Sequence, residues 1–345
     1  MDRTLEACIL ALPETAGSAL YGMVDVLAAT GRLWRELNGE MPGTQMINPR
    51  IVGLTRTPFT CGNAIPVTPD LKLDEAGVPA ILIVPELWLA PTDDLGDRYA
   101  DVKDWLRHCH AQGSTVYSAC SGSVLLAAAG LLDGREATSH WGYADLFRRC
   151  FPKVRFNPAP NLVIADPDAR LVTAGGTTSW HDLAIHIIAR HCSPGEALHI
   201  AKVYLLKWHG EGQLPYASLV RRQPHADSVV RRAEEYLSRE FRQENAVART
   251  VEQCAIPERS LKRRFKTATG QTLIGYVQNL RIEEAKRLLE ANEVAADEIA
   301  AMVGYDNPAF FRRLFKRSTG LTPGAYRRMF KPFSTVPSLA PPQKL

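Results

Sequence analysis

The chain has 345 residues, 46% of them hydrophobic, and a formal net charge of +4, a composition typical of a globular protein with room for two domains. It contains no apolar run of about 18 residues, and two opposite charges precede its first apolar stretch, so neither a membrane span nor a signal peptide is predicted. We therefore expect a cytoplasmic protein. Its seven cysteines are scattered without a C-x-x-C pair, which argues against a disulfide framework, and we expect no metal or other cofactor.

Up to residue 208, apolar segments of strand length alternate with segments of helical period. The strand-like segments are 5–12, 45–54, 79–85, 114–119, 161–166 and 170–176. The helix-like segments are 18–34, 99–113, 122–132, 143–150, 178–192 and 194–208. This alternation predicts an α/β domain over residues 1–208, with a parallel sheet covered on both faces.

Cys120 stands where one apolar strand passes directly into a helix, in VYSACSGSVLL (116–126). Ligands of parallel α/β sheets bind at the carboxyl ends of strands, so this bend predicts a ligand site. The candidate ligand-binding residues all lie near predicted strand ends: Glu14, Glu86, Cys120, Ser121, His140, Trp141 and Thr177.

Residues 209–227 are rich in Gly, Pro and polar residues and show neither a helical nor a strand period, which predicts a linker. The charge changes sign across it: residues 1–220 carry 18 Lys and Arg against 23 Asp and Glu, whereas residues 221–331 carry 22 against 14. A basic module favours a polyanion such as double-stranded DNA as the partner of residues 228–330. The Pro-rich residues 331–345 are expected to be disordered.

The basic module contains an internal repeat at an offset of 50 residues, RSLKRRFKTATGQT (259–272) and AFFRRLFKRSTGLT (309–322). Each copy follows a short helical segment and a turn. Gly270 and Gly320 stand where a left-handed C-cap would end a helix, and Asn307 is a good N-cap. The repeat therefore predicts two helix-turn-helix units.

The second helix of each unit has one apolar and one basic face. The period of 3.6 residues places Leu261 and Phe265, and Phe311 and Phe315 in the second copy, on the inward face. No acidic residue occurs from 259 to 282 or from 307 to the end, whereas a merely solvated surface usually mixes signs. The candidate DNA-contacting residues are Arg259, Ser260, Lys262, Arg263 and Lys266 in the first copy and Pro308, Ala309, Arg312, Arg313 and Lys316 in the second.

One predicted helix, 272–292, joins the two copies and carries a continuous apolar stripe. A helix of that length spans roughly 30 Å. Neighbouring major-groove windows on one side of B-DNA lie roughly 34 Å apart. A single chain would thus place two recognition helices in neighbouring grooves.

Residues 228–330 resemble the AraC/XylS-type DNA-binding domain, through PERSLKRRFKTATGQT (257–272) and IAAMVGYDNPAFFRRLFKRSTGLTPGAYRR (299–328). The front domain resembles the PfpI-like branch of the class I glutamine amidotransferase-like superfamily, through GMVDVL, ILIVPE, SACSGSVLLAAAGLLDGREATSHW and AGGTTSWHDLAIHII. Together they resemble the GlxA family of transcription regulators. The resemblance implies a flavodoxin-like parallel sheet in front and seven helices behind. It also implies a homodimeric regulator, most often an activator, whose partners are promoter DNA, RNA polymerase and a small-molecule effector such as an amino acid or amine.

In the enzymes that the front domain resembles, a carboxylate from the first helix activates the elbow cysteine, and in protease-like members a histidine follows it directly. Ala19 and Ser121 hold those positions here. Since only a thiolate attacks, we expect Cys120 to line a pocket or to be structural, and we expect no enzymatic activity. Two alternatives remain open. One is a cysteine-dependent amidase, hydrolase or glyoxalase-like enzyme fused to a DNA-binding domain, and the other is a dimerisation scaffold without an effector.

Overall fold

The computed structural model describes residues 4–220 and 225–334 and divides into two compact units, one ending at Gln213 and the next beginning at Leu214. This boundary lies inside the predicted linker. His209 and Gln213 are hydrogen-bonded within the first unit, and Leu219 within the second. The first unit therefore extends five residues beyond the predicted domain end at 208, because a Gly-rich segment without period can still be held by hydrogen bonds.

The strands all lie in the first unit within the described residues. They are β1 (Leu5–Leu10), β2 (Ile47–Gly53), β3 (Phe59–Cys61), β4 (Ile65–Val67), β5 (Leu71–Lys72), β6 (Ile81–Val84), β7 (Thr115–Ala119), β8 (Glu136–Ala137), β9 (Arg155–Phe156), β10 (Leu162–Ile164) and β11 (Leu171–Ala174). Seven of them form one sheet in the order β10-β11-β7-β6-β1-β2-β5, while β3 pairs with β4 and β8 with β9. Every neighbouring pair of the large sheet is parallel except β10 with β11.

Helices cover both faces of the sheet. They are α1 (Gly17–Ala28), α2 (Leu33–Leu37), α3 (Ala100–Ala111), α4 (Gly122–Ala128), α5 (Ala144–Cys150), α6 (Trp180–His191) and α7 (Pro194–Val203). Successive strand residues alternate between two cores: Leu10 packs into a core with residues of α3, α4 and α5, whereas Ile9 packs into one with residues of α1, α6 and α7. Burial on both sides explains why these strands are continuously apolar, and the predicted α/β class with a parallel sheet is confirmed.

Strands β3, β4, β5, β8 and β9 were not predicted, and two predicted segments differ in strand direction or helix continuity. Strand β10 runs antiparallel to β11, because the connection 165–170 is far shorter than the dozen or so residues that a parallel crossover needs. The predicted helix 18–34 is broken after Ala28. Gly31 adopts a φ of 79°, and a Cβ there would clash with the backbone oxygen of Thr44, so the chain must turn before α2 begins.

The second unit contains seven α-helices within the described residues. They are α8 (Ser228–Glu240), α9 (Ala246–Cys254), α10 (Glu258–Thr269), α11 (Leu273–Ala291), α12 (Ala296–Met302), α13 (Pro308–Thr319) and α14 (Pro323–Ser334). The first half of α11 packs into a core with α8, α9 and α10, and the second half into a core with α12, α13 and α14. Helix α14 runs four residues into the predicted tail, and 335–345 lie outside the described residues. No helix in the described ranges has the length and apolar character needed to cross a bilayer.

The sequence repeat is a structural repeat. Gly270 and Gly320 end α10 and α13 in the left-handed conformation, with φ of 73° and 76°. The side chain of Asn307 accepts a hydrogen bond from the N–H of Phe310 at 3.0 Å and so caps α13. These three predicted helix ends are confirmed, and each copy forms a helix-turn-helix.

Candidate nucleic-acid interface and elbow site

The outer faces of α10 and α13 are exposed and basic. Their inner faces bury Leu261, Phe265, Phe311 and Phe315 completely, as the period predicted. Eight of the ten candidate DNA-contacting residues are exposed, and the other two, Ser260 and Pro308 in the first turns, are half-buried. Each helix therefore offers a row of long basic side chains without losing core contacts.

Among the described residues, acidic partners hold two of these basic side chains. Lys262 pairs with Glu258 at 2.5 Å one turn earlier, and Arg312 pairs with Asp297 of α12. Both pairs are exposed to solvent, where ion pairs contribute little and exchange readily for phosphate. Across 4–220 and 225–334, no acidic group lies within ion-pair distance of the others, Arg259, Arg263, Lys266, Arg313 and Lys316. Their positive charge is available to a polyanion.

Arg264 differs from its neighbour Arg263 although both belong to the same basic run. Its Nε and Nη2 donate hydrogen bonds to the two carboxylate oxygens of Asp227 at 2.8 and 2.7 Å. Asp227 in turn accepts from the first N–H groups of α8, and the Arg264 guanidinium lowers the pKa of Asp227 to about 2. Arg264 thus fastens α8 to α10 and is not part of the exposed basic face.

Helix α11 joins the two motifs and has 19 residues, which corresponds to about 28 Å. Arg281 lies in its middle and is 9% exposed. Its guanidinium donates to the backbone oxygens of Phe241, Gln243 and Gly304 at 2.7 to 2.8 Å. Phe241 and Gln243 lie in the connection from α8 to α9, the first helix of the first motif, and Gly304 lies in the turn of the second motif. This one side chain thus ties a segment next to each motif to the spacer helix. The sequence analysis missed Arg281, since an arginine at a helical position is usually exposed.

Cys120 occupies a strained bend between β7 and α4, with a φ of 52°. Its N–H donates to the oxygen of Ala174 at 3.0 Å, and its own oxygen accepts from the hydroxyls of Ser123 and Ser139 at 2.9 and 2.8 Å. A Cβ at Gly122 would clash with backbone oxygens of the strand next to β7, so only glycine lets α4 begin this close to the sheet.

The Cys120 thiol is 2% exposed and donates a hydrogen bond to Oε1 of Glu86 at 3.4 Å, and the Thr177 hydroxyl donates to the same oxygen at 3.2 Å. Burial raises the pKa of the Glu86 carboxyl. The pKa of the Cys120 thiol is raised above its usual value, mainly by burial and secondly by the nearby Glu86 charge. Burial and the neighbouring Glu86 carboxylate therefore both favour the protonated thiol over the thiolate.

The other predicted ligand-site residues have different surroundings. Ser121 is buried, and its hydroxyl accepts from the N–H of Leu87 and donates to the oxygen of Leu87. Glu14 accepts hydrogen bonds from Arg98 and Tyr99 at 3.1 and 2.5 Å rather than from the thiol.

His140 and Trp141 form an aromatic pair. Their ring centroids lie 4.7 Å apart, and Nδ1 of His140 accepts a hydrogen bond from the N–H of Gly142. The loop that carries this pair also holds Ser139, which binds the Cys120 oxygen. The structure therefore brings Glu86, Cys120 and Thr177 into direct contact and joins the aromatic pair to them through Ser139.

Two family models match the chain in these two units. The model of the DJ-1/PfpI family matches residues 33–190, and the model of a helix-turn-helix domain matches residues 251–329. The HTH-type transcriptional regulator GlxA of Rhizobium meliloti is 29% identical over 228 residues, which cover 65% of this chain and 68% of GlxA. The chain belongs to the GlxA-like transcription regulators of the AraC family. It is a DNA-binding regulator with a DJ-1/PfpI-like front domain.

This GlxA-like regulator also resembles an enzyme in its front domain. The isonitrile hydratase of Pseudomonas putida is 30% identical over 183 residues, which cover 52% of this chain and 69% of the enzyme. A crystal structure from Vibrio parahaemolyticus, described as that of a transcriptional regulator protein, superposes with a TM-score of 0.50 at 20% identity. It covers 59% of this chain and 100% of that chain, and this likeness concerns the fold alone.

Proposed function

We propose that this regulator binds promoter DNA as a homodimer, with α10 and α13 of each copy in neighbouring major grooves, and that its front domain senses a small metabolite without catalysing a reaction. The observation that supports the DNA contact is the repeated basic face. The same four helical positions are exposed in both copies, and seven of the eight residues at them are Lys or Arg. They are Arg259, Lys262, Arg263 and Lys266 in α10 and Ala309, Arg312, Arg313 and Lys316 in α13. A basic row on a helix whose other face is buried matches the way that recognition helices enter the major groove.

The two motifs suit adjacent grooves because their spacer is rigid. One face of helix α11 packs into both cores, and Arg281 binds the connection before α9 and the turn before α13. Its length of about 28 Å is close to the roughly 34 Å between groove windows. A duplex selected by the protein from a random pool should therefore show footprint protection in two adjacent grooves per half-site. Protection of one groove only would contradict the proposal.

Arg313 is the sharpest test of base contact. Arg313→Ala should weaken binding to the selected duplex by about 1–3 kcal/mol, equivalent to roughly 5- to 150-fold, and should relax the preference at one base position. Arg239→Ala is the matched control, because Arg239 is exposed on α8, which belongs to neither helix-turn-helix. Equal weakening on all sequences would make Arg313 a phosphate contact instead.

The proposed effector site is the cluster of Glu86, Cys120 and Thr177 with the neighbouring His140 and Trp141. Glu86 is 9% exposed, and its second carboxylate oxygen finds no hydrogen-bond partner among the described residues. A buried carboxylate oxygen without a donor is costly, and an N–H group of a ligand would relieve that cost. An amino acid or amine is the effector class that best supplies such a donor, since its positive charge also favours the ionised carboxylate.

The effector proposal can be tested by thermal unfolding followed by tryptophan fluorescence. All six tryptophans, residues 34, 88, 105, 141, 180 and 208, belong to the first unit. An amine or amino acid that binds at 100 times its Kd should stabilise that unit by about 2.7 kcal/mol and raise its Tm. Glu86→Gln should abolish the rise, whereas Glu6→Gln, at an exposed position, should preserve it. If no amine or amino acid of a broad panel raises the Tm, the scaffold without an effector is favoured.

A cysteine-dependent enzyme is the second candidate, because the isonitrile hydratase shares this front domain. The raised pKa of Cys120 and the absence of a histidine directly after it argue against an activated thiol. Turnover of amides, glyoxals or an isonitrile by the purified protein, lost in Cys120→Ala, would establish this alternative.

We propose activation, through contact with RNA polymerase, as the mode of regulation. Its support is the AraC-type resemblance of the second unit. A transcription assay with purified polymerase on the selected site should give more transcript with the protein than without it, and less transcript would identify a repressor.

A further inference from the structure

Residues 214–220, the strap, lie within the segment predicted as a linker but belong to the second unit. Their backbone is hydrogen-bonded to α11. The oxygen of Ala217 accepts from Nζ of Lys286 at 2.8 Å. The N–H of Leu219 donates to Oε1 of Glu283 at 2.7 Å. The strap is therefore fastened to the helix that joins the two helix-turn-helix motifs.

The side chains of α11 that hold the strap form one stripe along the helix. Nδ2 of Asn279 donates to the oxygen of Leu219 at 3.3 Å, and Glu283 and Lys286 follow Asn279 at i+4 and i+7. At about 100° per residue, these three side chains lie within about 40° of the side of the helix opposite Arg281. Arg281 binds the connection before α9 and the turn before α13. Helix α11 is thus held from two opposite sides.

The strap contacts the hydrophobic cores of both motifs. Leu219 packs against the core of the second motif, and the next residue, Val220, packs against the core of the first. The turn Leu214–Tyr216 lies against α13, and the ring centroids of Tyr216 and Phe330 of α14 are 5.5 Å apart. The strap thus joins the core of the first motif to that of the second.

Lys286 makes the strap and α11 depend on each other. It is 7% exposed, and its ammonium also donates to Oε1 of Glu283 at 3.1 Å and lies 5.9 Å from the centroid of the Tyr326 ring. A lysine is rarely buried unless its charge is paired and hydrogen-bonded. If the strap left α11, the ammonium would lose the Ala217 oxygen. The bound strap is therefore the arrangement in which this buried charge keeps its acceptors.

The relation between the two cores matters for recognition, because α10 belongs to the first core and α13 to the second. If one core rotated about α11, its recognition helix would no longer point into its groove. A second binding element adds affinity through a high effective concentration only where the geometry lets both elements bind together. A strap bound to both cores resists such a rotation.

We propose that the strap holds the two motifs in the relation needed to bind two grooves at once, and that Asn279, Glu283 and Lys286 are positioning residues for this binding. They act through the strap and not by contact with DNA. The inference rests on the proposed function, since it requires both motifs of one chain to bind one duplex. Residues 214–220 then belong to the DNA-binding machinery, although their composition is that of a connector.

The test compares the affinities of the full-length protein for two duplexes. The first is the duplex that the wild type selects from a random pool, and in the second the bases of one protected groove are scrambled in each half-site. The wild type should bind the first roughly 100-fold or more tightly, because its second motif then binds at a high effective concentration. This ratio of affinities measures how well the two motifs bind together.

Lys286→Met keeps the apolar chain of the lysine but removes the ammonium that holds the strap. It should lower the ratio by roughly fivefold or more. Arg287→Met is the matched control, because it removes one positive charge from the adjacent, exposed position of α11 and should keep the wild-type ratio. Circular dichroism at 222 nm verifies that each variant is folded. If Lys286→Met does not fold, Leu219→Ala replaces it, because it removes a side chain packed against the second core without leaving a buried charge unpaired.

The outcomes separate the role of the strap from the proposed function. A lower ratio in Lys286→Met than in Arg287→Met would support the strap. An equal ratio in both variants would overturn it while DNA binding stands, because a strap that only stabilised the fold would weaken binding to both duplexes alike. Failure of the wild type to select any duplex, or a wild-type ratio near one, would instead overturn the proposed function, and the inference with it.

Discussion

Replacing Arg281 by methionine should destabilise the second unit without affecting the first. The substitution keeps an apolar chain of similar length but leaves three carbonyl oxygens, those of Phe241, Gln243 and Gly304, without their donor. An unsatisfied buried polar group costs about 1–3 kcal/mol, and the lower value applies because these turns lie near the surface. The guanidinium also lies 4.9 Å from the centroid of the Tyr305 ring, a contact worth roughly 0.5–1 kcal/mol. We therefore expect a loss of about 3–4 kcal/mol.

Urea unfolding of the full chain can assign this loss to one unit. Tryptophan fluorescence reports the first unit only, whereas circular dichroism at 222 nm also reports the seven helices of the second. With a slope of about 1.5 kcal/mol per molar urea, a loss of 3 kcal/mol moves the helical transition by about 2 M. The fluorescence transition should not move. DNA affinity should fall as well, because the turns that orient the two motifs lose their common donor.

The matched control is Arg287→Met on the same helix. Arg287 is exposed and pairs with Glu284 at the surface, so its removal should cost less than about 0.5 kcal/mol. If Arg281→Met shifts the helical transition no further than Arg287→Met does, the guanidinium does not tie the motifs together. An equal shift of the fluorescence transition would show that the effect is not confined to the second unit.

Three further predictions concern single groups. Native Cys120 should resist iodoacetamide at pH 8 and react only when urea unfolds the chain, because its pKa is raised. Mass spectrometry measures the fraction of Cys120 that is alkylated. Asp227 has a folded-state pKa of about 2, below the usual value of about 3.9. Its contribution to stability is therefore present above about pH 4 and lost as the pH falls towards 2. Asp227→Asn should remove this part of the acid sensitivity of the helical transition. Gly122→Ala should destabilise the first unit by about 1–3 kcal/mol through its clash with the oxygen of Val84, whereas Gly195→Ala should not, as the fluorescence transition will show.

The second unit was largely predictable because its local signals agree with one another. The apolar period, the left-handed positions of Gly270 and Gly320 and the cap at Asn307 each specify the same helix boundaries within a residue or two. The repeat at an offset of 50 residues then doubles the signal. The parallel sheet was predictable for a similar reason, since continuous apolar strands between amphipathic helices have few alternative arrangements.

The residues that the sequence did not reveal are polar groups whose partners lie far away along the chain. Arg281 binds carbonyl groups 23 to 40 positions distant, and Gln213 binds groups 53 to 75 positions distant. Lys286 is 7% exposed because its ammonium reaches the oxygen of Ala217. Composition and period describe each residue by its neighbours in sequence, so a buried arginine and an exposed one have the same local signature. Only the fold brings such partners together.

The elbow cysteine shows why a strained residue is weak support for catalysis. A non-glycine residue at positive φ costs of order 1–3 kcal/mol. At Cys120 that cost is opposed by one hydrogen bond donated to the oxygen of Ala174 and two accepted from the hydroxyls of Ser123 and Ser139, each worth about 0.5–1.5 kcal/mol. The strain is thus compensated locally, and no chemical step is needed to account for it. The same bonds join β7, α4 and the loop that carries Ser139, so hydrogen bonding within the fold accounts for the geometry of this bend.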